Sequence, residues 1–157
     1  MIKLREARNK DSDQIIKLIR DCFNEYPKCY LDVDVEMPEL KKIYSYFKFK
    51  NGNFWVFEKN NKVIGSMGLA PKGKDLELHK LYIKKNQRGK GLAKIMVIKA
   101  EKYAKKFGFK KMILWTDTRF KEAHLMYLKL NYKKMKKTRR LYDISDTTEF
   151  HFQKKIF

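Results

Sequence analysis

The sequence predicts an α/β (α+β) fold, a mixed and mostly antiparallel central sheet with helices on both faces. Three observations carry that expectation. Strand-like runs at 54–58, 63–69 and 76–83 are separated only by turn-forming residues, which makes a meander. Helix-patterned stretches then flank a further strand at 111–116, and such a β-α-β-α-β passage fits a partly parallel sheet with right-handed crossovers. Apolar residues make up 43% of the 157, so a packed core is expected, in a single domain spanning 1–157.

Each element has its own signal. Residues 2–8 alternate as a first strand. Asp11 or Ser12 is placed to cap a helix that runs to about Asn24, with Ile15, Ile16, Leu18, Ile19, Cys22 and Phe23 as its apolar face. Tyr26-Pro27 ends it, and a loop through Asp32, Asp34 and Glu36 leads to a second helical stretch near 38–49. Asn51-Gly52 breaks that helix before the aromatic strand at 54–58. Asn60-Asn61 suits a two-residue hairpin into 63–69, and Pro71 to Asp75 turns the chain again. Leu92, Met96, Ala100, Tyr103 and Phe107 recur at three or four residues and predict a helix stripe, with Gly108 as its stop. A strand at 111–116, a helix over about 119–129 and two strands holding Tyr132 and Phe150 complete the order β-α-α-β-β-β-α-β-α-β-β.

Composition narrows the function classes. No apolar run approaches ~18 residues and the first residues lack an export signal, so no membrane span and a cytoplasmic location are expected. Cys22 and Cys29 are expected to be free thiols, and neither lies near a His or a Gly turn that would activate it. His79, His124 and His151 have no metal-ligand spacing, so no metal is expected. The 38 Lys+Arg against 18 Asp+Glu leave +20, which favours anionic ligands. The lysines are spread over nearly every segment, so nucleic-acid binding is not the leading reading.

The most informative segment runs from Leu81 to Ala93. A β-rich run ends at Ile83, and Arg88-Gly89-Lys90-Gly91-Leu92-Ala93 then opens a helix. The first N–H groups of a helix lack internal partners and carry partial positive charge. Without a Cβ at Gly89 or Gly91, a phosphate can come close to them. The spacing fits neither the nucleotide P-loop nor the G-x-G-x-x-G fingerprint.

The run Arg88 to Ala93 resembles the pyrophosphate loop of the GNAT superfamily of N-acetyltransferases, [Gln/Arg]-x-x-Gly-x-[Gly/Ala]. Ala123-His124-Leu125-Met126-Tyr127-Leu128-Lys129-Leu130-Asn131-Tyr132 is similar to that family's A-x-x-x-Y-x-x-x-G-[Phe/Tyr] segment, with Asn131 in place of Gly. Phe120 stands where the family often has a cofactor-binding Asn. Tyr26-Pro27, Pro38-Glu39-Leu40 and the run Trp115 to Phe120 look like those of a small bacterial subgroup of acetyltransferases. The resemblance covers the whole chain and implies acetyl-CoA held between the strands ending at Ile83 and Thr116. On that reading Leu81, Tyr82 and Ile83 align the pantetheine arm, and Arg88, Gly89, Lys90, Gly91, Leu92 and Ala93 hold the pyrophosphate.

The resemblance also makes Tyr127 the general acid, since a phenol can hand a proton to the departing thiolate. Tyr103 and Tyr132 are rivals by composition alone. Glu77 resembles the glutamate base of histone-type members, and it alternates with His79 onto one strand face that also carries Ile83. Both remain readable as ordinary strand residues. Trp55, Trp115, Tyr30 and Tyr82 are candidates for the acceptor pocket, as is the acidic trio Asp32, Asp34 and Glu36. The expected activity is acetyl transfer from acetyl-CoA to a primary amine by direct attack. The alternative is a non-catalytic acyl-CoA-binding module whose basic surface binds RNA or a protein partner. The sequence leaves the acceptor and a homodimer open.

Overall fold

The computed structural model describes residues 1–157. In chain order the elements are β1 (Ile2–Glu6), α1 (Ser12–Phe23), α2 (Ile43–Phe49), β2 (Asn53–Lys59), β3 (Lys62–Lys72) and β4 (Asp75–Ile83). They continue with α3 (Leu92–Lys106), β5 (Lys111–Asp117), α4 (Lys121–Lys129), β6 (Lys133–Arg140) and β7 (Thr148–Lys155). Short 3-10 turns occupy Asn9–Asp11, Pro38–Lys42 and Lys85–Gln87. The order is the one the sequence predicts. One seven-stranded sheet runs β1-β2-β3-β4-β5-β7-β6, and every neighbouring pair is antiparallel except β4 and β5. No helix is long and apolar enough to cross a membrane.

Local chemistry explains most boundaries. Asn60 and Asn61 both take positive φ, 51° and 60°, as a two-residue hairpin turn between twisted strands demands. Helix α3 ends in a Schellman arrangement: Gly108 sits at φ 77°, and the Phe109 N–H donates to Ala104 O at 2.9 Å. Asn131 adopts φ 69° after α4, so it does the work of the glycine it replaces. The start of α1 differs from expectation. The Asp11 carboxylate accepts the Arg8 N–H at 2.7 Å and the Arg5 guanidinium at 2.8 and 2.9 Å. It therefore closes a 3-10 turn and anchors β1 instead of capping α1, while Ser12 Oγ accepts the Ile43 N–H.

The sheet separates two cores. On one face α3 and α4 cover a cluster that includes Met67, Leu69, Leu76, Met96, Met112 and Phe152. On the other, α1 and α2 cover Ile15, Ile19, Leu40, Ile43, Phe47 and Phe54. Each such fully buried side chain contributes about 1.5–3 kcal/mol. Gly68 lies under Phe47, whose ring atoms are 2.6 Å from where a Cβ would stand, so glycine is needed there for packing. The α3 stripe holds at Leu92, Met96 and Ala100 and departs from expectation only toward its end, where Ala104 is buried in place of Tyr103. Leu92, Met96, Val97, Ala100 and Ala104 are buried, whereas Phe107, at the C-cap, is exposed.

Candidate active site

The site is created by the far end of β4. This strand pairs with β5 only at Leu76↔Met112, Glu77↔Ile113 and Leu78↔Leu114. Beyond Leu78 the two strands separate, so the β5-facing side of Leu81 to Ile83 has no strand neighbour. On the other side, Ser66 pairs Tyr82 and Gly68 pairs His79, so β4 carries one extra residue. Lys80 takes up that residue with φ 52°, and Ser66 Oγ donates to Lys80 O at 2.8 Å. Such a bulge reverses side-chain alternation. Leu76, Leu78, Leu81 and Ile83 all face the α3 side, and Glu77, His79 and Tyr82 point the other way. Glu77 and His79 therefore do share a face, but Ile83 is not on it, contrary to simple period-2 counting.

The loop after β4 is built around two left-handed glycines. Gly89 has φ 78° and Gly91, at the N-cap of α3, has φ 77°. A Cβ at either would meet nothing within 4 Å, so the backbone, not neighbouring protein, requires glycine, and the ground in front of the helix is open. The N–H groups of Gly89 through Lys94 donate to no protein acceptor, and α3 has no side-chain cap. The Arg88 guanidinium faces inward. It forks onto Glu25 at 2.6 and 2.7 Å and donates to Ile83 O at 2.9 Å. Arg88 thus ties the loop to α1 and to the end of β4, and Glu25 is a partner the sequence did not suggest.

A cleft of about 290 Å³ opens between β4, this loop and α4. Leu81, Tyr82, Ile83, Arg88, Gly89, Gly91, Leu92 and Ala93 border it, together with Lys94, which sequence reasoning missed. Lys90 does not; its ammonium donates to Gln87 Oε1 at 2.9 Å. Thr116 does not either, and lies instead in a second cavity of about 480 Å³. The two spaces meet: Leu81, Tyr82, Phe120, Ala123 and Tyr127 border both. Phe120 packs on Phe23, Tyr26 and Tyr82, with ring centroids 5.1–6.2 Å apart, so it forms an aromatic wall.

Tyr30, Tyr82, Trp115, Asp32 and Glu36, among the sequence candidates for an acceptor pocket, all border the second cavity. Trp55 is elsewhere, buried against Tyr103 beneath α3, because β2 lies three strands from β5. Asp34 is exposed and pairs with Lys41. Two loops, 24–37 and 141–147, wall the cavity and are laced together. The Tyr30 N–H donates to Ser145 Oγ at 2.7 Å, and the Ile144 N–H donates to Glu36 Oε2 at 2.9 Å. Arg119 donates to Asp117 and to Ser145 O. Asp117, Asp143 and Glu149 also border this space. Nothing in sequence spacing marks them, since β7 and the 141–147 loop reach it only through the sheet order.

Tyr127 stands where the cleft and the cavity join. It is 5% exposed, its hydroxyl has no hydrogen bond to the protein, and burial pushes its pKa up, so it stays protonated near neutrality. Its compositional rivals are committed elsewhere: Tyr132 donates to Glu101 Oε2 at 2.9 Å, and Tyr103 packs on Trp55. Glu77 is buried and borders neither cavity. Burial raises its pKa against the pull of Lys72 and Arg139. His79 borders the cavity, with Nε2 3.5 Å from Glu77 Oε2. Burial, with Lys80, Arg139 and Lys72 disfavouring the charged ring, pushes His79 down to about 4, so it is neutral at pH 7. Cys22 and Cys29 are buried, and burial pushes both thiols up to about 11, which keeps them from acting as nucleophiles.

The profile described as "Acetyltransferase (GNAT) family" matches residues 13–132. The uncharacterized N-acetyltransferase YjgM of Escherichia coli K12 is 33% identical over 139 residues, 83% of this chain and 81% of that protein. Human N-acetyltransferase 8 is 30% identical over 113 residues, and the match spans 67% of this chain but only 49% of that protein. An acetyltransferase of the GNAT family from Staphylococcus aureus Mu50 shares the fold over 100% of both chains, with TM-score 0.87 at 19% identity. The yncA protein of Salmonella typhimurium, a structure described with its cofactor acetyl-CoA, matches 100% of this chain and 95% of its own at TM-score 0.78 and 14% identity.

Proposed function

The chain belongs to the acetyltransferase (GNAT) family, and from that we propose that it moves the acetyl group of acetyl-CoA to a primary amine by direct attack. The observation that carries this reading is the junction of two cavities at Tyr127 and the unpaired end of β4. A donor and an acceptor arriving from opposite sides meet there without a covalent protein intermediate. The six free N–H groups from Gly89 to Lys94 suit the pyrophosphate, and the open side of Leu81 to Ile83 suits the amide-bearing pantetheine arm.

In the reaction the amine nitrogen attacks the thioester carbonyl carbon, the C–S bond breaks, the thiolate takes the Tyr127 proton, and the proton shed by the acylated nitrogen restores the phenol. The amine must lose its own proton first, because amines with pKa of about 8–10 are mostly charged near pH 7. Glu77 accepts it through His79, which borders the cavity with Nε2 3.5 Å from Glu77 Oε2. Amine-dependent thiol release from acetyl-CoA, with acetylated product found by mass, tests the whole reading. Absence of release, together with a salt-dependent shift on RNA, would return the non-catalytic module.

The base has its own test. As pH falls, protonation of Glu77 removes the acceptor, so kcat/KM should fall along an acidic limb that belongs to the Glu77–His79 pair. Glu77→Gln is expected to lower the plateau about 10²-fold and to displace that limb, with acetyl-CoA affinity kept. A limb that stays in place with little change in height moves the role to His79, and His79→Ala is then the variant that loses it.

A further inference from the structure

We infer that the second cavity selects its acceptor by excluding carboxylate: it takes an amine carried on an apolar or aromatic body and turns away free amino acids. This inference rests on the transfer reaction proposed above. In a chain of net charge +20, the ionised groups bordering the cavity are mostly acids: Asp32, Glu36, Asp117, Asp143 and Glu149. Lys80 also borders it, and its ammonium is paired with Glu39 at 3.1 Å.

The five carboxylates are held differently, and the difference decides the local field. Asp117 and Glu149, cross-strand neighbours, each have an arginine: Arg119 at 2.8 Å and Arg139 at 2.7 Å. The other three are held by neutral donors. Asp32 accepts the Val35 N–H at 3.1 Å, and Glu36 accepts the Ile144 N–H at 2.9 Å. Asp143 accepts the Thr147 N–H and hydroxyl, both at 2.7 Å. Neutral donors fix a carboxylate without cancelling its charge. The approach to the reacting centre is therefore negative, which favours an ammonium and opposes an α-carboxylate beside it.

Two further features say that a ligand of this kind fits. Thr116 and Tyr127, 7% and 5% exposed, border the cavity with hydroxyls that make no protein hydrogen bond and yet are not sealed from it. With Tyr127 given to the departing sulfur, the Thr116 oxygen is free to accept an N–H from the incoming amine. Around the mouth, Tyr30, Val35, Leu141 and Tyr142 are large, apolar and exposed on the two laced loops. A rim of that kind matches the body of the acceptor, and a small charged amine would leave it uncovered.

The test uses the full chain with saturating acetyl-CoA and a matched series: phenethylamine, phenylalaninamide, phenylalanine and ethylamine. Phenethylamine and phenylalaninamide are expected to exceed phenylalanine at least tenfold in kcat/KM, and ethylamine is expected to trail phenethylamine by a similar factor. The double variant Asp32→Asn with Glu36→Gln keeps both hydrogen-bond acceptors. It should narrow the gap between phenethylamine and phenylalanine at least threefold while its melting curve stays in place. Phenylalanine equal to phenethylamine, or a gap unmoved in a folded double variant, overturns the inference while leaving the transfer reaction standing. If no amine releases thiol, the transfer reaction falls. Calorimetric binding of phenethylamine and phenylalanine to the coenzyme A-loaded protein then reads selection alone, and equal affinities overturn it.

Discussion

Tyr127→Phe is expected to lose roughly 10²-fold or more in kcat while acetyl-CoA affinity stays nearly unchanged. A hydroxyl that protonates the departing sulfur acts only when charge appears there, so under the proposed role its loss is a transition-state effect and not a binding effect. The structure sharpens this expectation beyond what sequence allowed. The phenol makes no hydrogen bond to the protein, so removing it breaks no internal contact and leaves no protein donor or acceptor unpaired. The ring still packs on Tyr132 and Phe152. Melting temperature should therefore hold, whereas a phenol that served only the core would give a shifted melt and intact turnover. Steady-state rates, a melting curve and an acetyl-CoA titration read the three quantities, and full activity in the variant removes the proton-donor role.

Gly91→Val is expected to weaken acetyl-CoA binding at least tenfold. Two effects add. A β-branched side chain opposes φ 77°, and its bulk would stand in the open ground before the first turn of α3. Backbone strain alone can lower stability, so Gly73→Val supplies the control. Gly73 also has positive φ, 61°, with nothing within 4 Å of a Cβ, and it lies in the turn between β3 and β4. Both variants should lose similar stability, but only Gly91→Val should lose affinity by calorimetry. Equal, unchanged affinity in two folded variants would falsify the assignment of the pyrophosphate to this loop.

Much of this chain was legible because its signals are local. Asn60-Asn61, Gly108 and Asn131 announce left-handed backbone, and each has it. The stripe on α3 and the glycines at 89 and 91 need only a helix period and a free φ to be read. Tyr127 came from its place in a segment similar to a known family, and the structure then separated it from Tyr103 and Tyr132 by what each touches.

Other features depend on what meets across the sheet, and no local rule carries them. The bulge at Lys80 is one residue in one strand, yet it reverses which side of β4 faces which core. Counting by twos therefore put Ile83 on the wrong face. Arg88 reads as a phosphate ligand by sequence, but Glu25 lies 63 positions away in the chain and holds its guanidinium. Trp55 and Trp115 read alike as strand aromatics; sheet order buries one under α3 and opens the other to the second cavity. The carboxylates of Asp143 and Glu149 join that cavity only because β7 inserts between β5 and β6. Backbone conformation and amphipathic faces are set by neighbours in sequence, so the sequence determined the elements, their order and the loop chemistry. Which charges and rings converge on the two joined cavities is set by strand order, register and the splay of β4 from β5, and these exist only once the sheet has formed.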